Sequence, residues 1–105
     1  MTAWRKVCAV RDVKEGEPFG AKLDGTPIGV YRLGEAYHAI HDVCTHEFAL
    51  MSQGYQEGDT IECPLHAARF SIVTGKCLAG PAQQDLAVFR VKVEGDDVLV
   101  APAAD

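Results

Sequence analysis

Four residues in two short clusters are able to do chemistry together. They are Cys44-Thr45-His46 and Cys63-Pro64-Leu65-His66, with sixteen residues between His46 and Cys63. The pattern C-x-H followed by C-x-x-H supplies two thiolates and two imidazoles, a soft donor set suited to transition metals. Two sites use such a set. One is a [2Fe–2S] cluster in which two histidines replace two cysteines on one iron. The other is a tetrahedral structural zinc ion with mixed sulfur and nitrogen ligands. Zinc sites commonly open with two to four residues between paired ligands. Cys44-x-His46 has one, so the spacing favours the cluster.

The cluster reading carries a redox consequence. Two ferric ions and two sulfides leave two positive charges in excess, and two thiolates cancel them. Neutral imidazoles on the second iron then leave the oxidised centre uncharged. An all-cysteine centre is negative and resists another electron. Replacing two thiolates by histidines therefore raises the reduction potential, from about −400 mV to a window of roughly −150 to +300 mV. Cys44 and Cys63 are expected to hold one iron, and His46 and His66 the other. Each loop then contributes one ligand to each iron.

The elements that must position these residues read as short strands between turns. Strands are expected over 4–10, 17–23, 26–33, 36–43, 60–63, 69–73, 88–94 and 97–101. Asp24-Gly25 is a strong hairpin signal. The fourth strand delivers Cys44 at its end, and the fifth delivers the second ligand pair. Val98 and Val100 share one face of the last strand. The best helix candidate, 47–53, is a turn or two at most. This pattern of many short strands predicts an all-β sandwich or barrel.

At 105 residues the chain is expected to form one domain with one modest core. Its net charge of −5 argues against nucleic acid and anionic membrane as partners. No apolar run approaches the ~20 residues that span a bilayer, and the first residues lead into no apolar signal segment. A cytoplasmic location is the expectation. There, four cysteines point to metal binding before disulfides. Cys8 and Cys77 are expected to be small packed thiols, and His38 and His41 structural or surface histidines. Between Leu33 and Ala68 there is no Lys or Arg, while Glu35, Asp42, Glu47, Glu57, Asp59 and Glu62 all fall there. These carboxylates are expected near the electron exit, where they would steer a basic partner.

The two ligand clusters, followed by Phe70, Thr74-Gly75 and Pro81, resemble the Rieske-type ferredoxins of bacterial aromatic-ring-hydroxylating dioxygenase systems. The resemblance covers nearly the whole chain, from Trp4 through Gly16 to the final pair of strands. It implies a Rieske-type antiparallel β-sandwich with a small two-loop cluster-binding subdomain. The chain would be a single Rieske [2Fe-2S] domain over 1–105, with cluster-binding loops at about 43–81. It implies one [2Fe-2S] cluster on Cys44, His46, Cys63 and His66, and no catalysis of its own. The partners implied are a flavin-dependent, NAD(P)H-linked ferredoxin reductase and a terminal oxygenase, with the chain a monomer. The alternative is the small Rieske-like subunit of an assimilatory nitrite reductase.

Comparison with high-potential Rieske proteins of respiratory chains sharpens this. Their extra disulfide would fall at Ala49 and Leu65, and their serine and tyrosine hydroxyl donors at Ala68 and Phe70. None of the four can play those parts here. Fewer donors to the sulfurs lower the potential. By the same resemblance Gly80-Pro81 belongs to a shielding loop, and Leu65 sits between the loops as a lid that excludes water.

Overall fold

A computed structural model describes residues 4–44, 49–65, 68–79 and 84–102. Ten strands follow in chain order: β1 (Arg5–Ala9), β2 (Phe19–Leu23), β3 (Thr26–Leu33), β4 (Ala36–His41), β5 (Tyr55–Glu57), β6 (Thr60–Glu62), β7 (Arg69–Ser71), β8 (Cys77–Ala79), β9 (Val88–Glu94) and β10 (Asp97–Ala101). Six of them form one antiparallel sheet in the order β1-β10-β9-β4-β3-β2, and the other four form β5-β6-β7-β8. The all-β expectation holds.

Turn chemistry fixes the register of the large sheet. Asp24 and Gly25 both have positive φ, 49° and 88°, as a type I′ turn requires. The turn pairs Leu23 with Thr26 and sets every pair back to Phe19–Val30. β4 and its neighbour β3 lie inside the sheet and are covered on both faces. Ile28, Val30 and Ala39 point into a core shared with Cys8, Val98 and Val100. Tyr31 and Ile40 point to the opposite face, into a second core with Ile61 and Phe70 of the small sheet and Ile72 just after β7. Period-two alternation thus lets two strands serve two cores. Phe70 is fully buried, and its removal would cost about 3–5 kcal/mol.

Several boundaries differ from the sequence expectation. Residues 4, 10, 17–18, 42–43, 63 and 72–73 lie outside the strands proper. Lys14–Glu17 and Val43–Leu50 form isolated bridges instead. The helix candidate reduces to one 3-10 turn, Met51–Gln53, within its described part; 47 and 48 lie outside the described residues. Strands β5 and β8 were not anticipated. Each has three residues, too few for alternation to register.

Candidate metal centre

The two cysteines open two loops of the same construction. Asp42 follows the end of β4, and its carbonyl accepts the Met51 amide at 2.6 Å. Within that closure the Cys44 amide donates to the Ala49 carbonyl at 2.8 Å. β6 delivers Cys63, whose amide donates to the Ala68 carbonyl at 2.7 Å. In both loops a cysteine is tied to the carbonyl five residues on. Each tether holds the two ends of its loop together.

Both thiols are buried and belong to the same core, with Cys44 5% and Cys63 1% exposed. Neither is in a disulfide. A pair of reduced thiols drawn from two loops into one apolar core fits the two-thiolate half of the expected donor set. His46 and His66 lie outside the described residues, as do Thr45, Glu47 and Gly80-Pro81. Among the described residues no group of three or more metal-ligating side chains stands together.

The surroundings are apolar. Ala49, Met51, Ala68 and Phe70 pack in the core that holds the two cysteines, with Ala68 and Phe70 fully buried. The positions that would carry hydroxyl donors in the high-potential proteins therefore carry a methyl and a phenyl ring. Leu65 is 61% exposed, so it is not a core leucine. It stands at the surface of the second loop, beside Pro64.

The acidic stretch does not assemble as expected. Asp42 is only 2% exposed, because the sheet and the first loop close over it. Glu62 pairs with Arg69 on the neighbouring strand at 3.3 Å. Glu35 sits in the turn before β4, and six residues of strand at ~3.3 Å each separate that turn from the loop end. Sequence proximity grouped these carboxylates; of the described ones, burial removes Asp42 and a strand's length sets Glu35 apart, while Glu47 lies outside the described residues.

Asp42 was counted as a surface acid by sequence reasoning. Its carboxylate accepts the Ser52 amide at 2.7 Å on Oδ1 and the Ser52 hydroxyl at 2.6 Å on Oδ2. Burial pushes this carboxyl up from its ordinary range, and the Ser52 hydrogen bonds and the His41 charge pull it back. His41 is half-buried, and its Nδ1 accepts the Val43 amide at 3.2 Å. Burial lowers the His38 imidazole. Both histidines are part-buried on β4. Cys8 is a buried thiol in the base core, and Cys77 is half-buried. An open cleft of about 640 Å³ runs beside the first loop, lined by Lys22, Pro27, Val43, Leu50 and Gln53, with Asp42 and Ser52 also on its wall.

Comparison with known proteins defines the class. A family model described as the Rieske [2Fe-2S] domain matches residues 3–100. The ferredoxin subunit of the 3-phenylpropionate/cinnamic acid dioxygenase of Escherichia coli K12 is 46% identical over 95 residues, covering 89% of this chain and 88% of the relative. The ferredoxin component of the naphthalene 1,2-dioxygenase system of Pseudomonas putida is 38% identical over 97 residues, covering 92% and 93%. Among solved structures, a chain in a complex of reduced oxygenase and oxidized ferredoxin of carbazole 1,9a-dioxygenase superposes with a TM-score of 0.88 at 38% identity, covering 97% of both chains. A putative NADH-dependent nitrite reductase small subunit from Mycobacterium tuberculosis superposes at 0.84 with 26% identity, covering 100% and 99%. The chain belongs to the Rieske [2Fe-2S] family, whose members bind one Rieske-type cluster.

Proposed function

We propose that this chain is a Rieske ferredoxin, a one-electron carrier that takes electrons from an NAD(P)H-dependent flavin reductase and passes them to a terminal aromatic-ring-hydroxylating oxygenase. It is an electron-transfer component and not an enzyme. The observation that carries the reading is the matched pair of loops. Cys44 and Cys63 are delivered by separate strands into one apolar core, each tethered by its own amide to a carbonyl five residues on. Cys44, His46, Cys63 and His66 hold the cluster, within a single domain whose binding loops span about 43–81. The bound cluster supplies the single redox equivalent.

The protein's contribution is to position and tune. The two loops fix the thiolates, and Ala68 and Phe70 exclude water and offer the sulfurs no hydroxyl donor. Both effects keep the potential toward the low end of the Rieske window, within reach of a reductase. His46 and His66, as ligands, are the exit for the electron. The carrier works in the cytoplasm as a monomer. Among the described residues no helix is long and apolar enough to cross a membrane.

The nitrite reductase reading is weaker. The ferredoxin components match at 38–46% identity, against 26% for the nitrite reductase subunit. Reconstitution decides between them. The purified chain, mixed with a ferredoxin reductase and an aromatic-ring oxygenase, is expected to support NAD(P)H-dependent hydroxylation. Activity only with a nitrite reductase large subunit would reverse the assignment.

A further inference from the structure

The first ligand loop is anchored on a seat built by two glycines. Gly20 of β2 and Gly29 of β3 are direct cross-strand partners. Neither has positive φ, so backbone freedom does not account for them. Space does. A Cβ on Gly29 would lie 2.9 Å from Asp42 Oδ1 and 2.9 Å from the Tyr31 hydroxyl oxygen. A Cβ on Gly20 would lie 3.0 Å from Ser52 Oγ and 3.7 Å from Asp42 Oδ2. The two missing side chains leave a notch in the sheet, and the Asp42–Ser52 pair occupies it.

That pair brackets the loop that carries Cys44. Asp42 precedes the cysteine by two residues, and Ser52 follows it by eight. Four hydrogen bonds lock the bracket. The Asp42 amide donates to the Pro27 carbonyl at 3.0 Å, fixing it to β3. Its carbonyl accepts the Met51 amide, and its carboxylate accepts both the amide and the hydroxyl of Ser52. The Tyr31 hydroxyl, fully buried and without a hydrogen-bond partner in the described structure, borders the same notch. A buried carboxylate is costly unless its oxygens are satisfied. Here both are satisfied by one residue at the far end of the loop.

We propose that Asp42 is a positioning residue for the cluster: seated with Ser52 in the Gly20–Gly29 notch, it holds closed the loop that presents Cys44. The proposal rests on the assignment of Cys44 as a ligand. The second loop lacks an equivalent seat among the described residues. Its Cys63 is held by its own short amide bond and by the pairing of β6 with β7. The second loop is spanned by the partly exposed Glu62–Arg69 pair, so among the described residues the first loop alone is closed by a buried side chain.

The test compares holoprotein variants by the rate of cluster loss to an iron chelator and by the EPR spectrum of the reduced state. Asp42→Asn keeps both contacts, since its amide oxygen accepts the Ser52 amide and its nitrogen donates to Ser52 Oγ. It is expected to lose the cluster at the wild-type rate within about twofold. Asp42→Ala removes both contacts and is expected to lose it roughly tenfold faster, with broadened g values. Wild-type loss and spectrum in Asp42→Ala would overturn the proposal. So would equal impairment in Asn and Ala, which would make charge the essential property. If Asp42→Ala yields no holoprotein, the glycine seat decides. Gly20→Ala is expected to speed cluster loss in the wild type and to add little in a Ser52→Ala background, where the crowded hydroxyl is gone. Equal effects in both backgrounds would overturn it. Wild-type protein without iron and sulfide would instead remove the cluster assignment on which the proposal stands.

Discussion

The amide of Cys63 donates to the carbonyl of Ala68 at 2.7 Å, so Ala68 closes the second ligand loop and its methyl is packed in the core that holds the cysteine thiol. The same core contains Phe70. A hydroxyl placed at either position enters an interior shared with both cysteines.

Ala68→Ser and Phe70→Tyr are each expected to raise the reduction potential by tens of millivolts. One net hydrogen bond is worth about 1 kcal/mol, and 59 mV corresponds to ~1.4 kcal/mol for one electron. Both side chains are fully buried, so a hydroxyl that finds no sulfur costs about 1–3 kcal/mol of stability. Protein-film voltammetry and chemical unfolding, read together, check this. A raised potential with stability retained is the expected pair of results, and an unchanged potential with a destabilised fold would show that the hydroxyl misses the cluster.

Docking is expected to depend on the apolar tip of the second loop. Leu65 is 61% exposed, whereas Asp42 is buried and Glu62 is paired with Arg69. Leu65→Asp should slow second-order electron transfer to the oxygenase about tenfold, an effect expected of an anchor at an interface centre. Charge reversal at Glu57, at the end of β5, should change it less than about twofold. Stopped-flow measurements across ionic strength provide the check. A steep fall with salt in the wild type, together with an unaffected Leu65 variant, would assign docking to the carboxylates.

How much of this was legible in the sequence varied with the length scale of the signal. The Asp24-Gly25 turn and the buried face of Val98 and Val100 are local patterns, and each appears as read. The seat of the first loop was not legible. It joins Gly20, Gly29, Asp42 and Ser52 from three separate stretches of chain, and each residue alone has an ordinary surface explanation. Asp42 in particular reads as one more acid in an acidic run until the sheet is seen to close over it. The clue available was a pair of glycines inside strands, where glycine often marks a close approach.

Gly75 is expected to tolerate no side chain. Its φ is +73°, and a Cβ there would fall onto the Leu86 carbonyl. That carbonyl belongs to a residue whose own amide donates to Gly75 O at 2.7 Å, which ties the end of the small sheet to the core. Gly75→Ala should destabilise by more than about 1 kcal/mol, since left-handed strain alone costs that much before the clash is added. Denaturant unfolding measures it, and a variant as stable as the wild type would refute the tie.

Cys8 provides a pH signature. Burial, and then the charge of Asp12, push its thiol from 9.0 up to about 11, with Lys6 pulling it down. The folded state therefore holds this proton more tightly than the unfolded chain. The associated stability is fully present below pH 9 and falls as pH rises from 9 towards 11. Subtracting the stability–pH profile of Cys8→Ala from that of the wild type should leave a decline confined to that window. A flat difference would mean that Cys8 titrates normally in the folded protein.

The central claim is that Cys44, His46, Cys63 and His66 hold a mixed-ligand iron–sulfur cluster. EPR of the dithionite-reduced protein, purified from iron-replete cells and assayed for metal and sulfide, tests it most directly. The account predicts two irons and two acid-labile sulfides per chain. It also predicts a rhombic signal whose average g value lies below that of all-cysteine clusters, lost on replacement of any one of the four residues. One zinc per chain with no sulfide and no signal would contradict it.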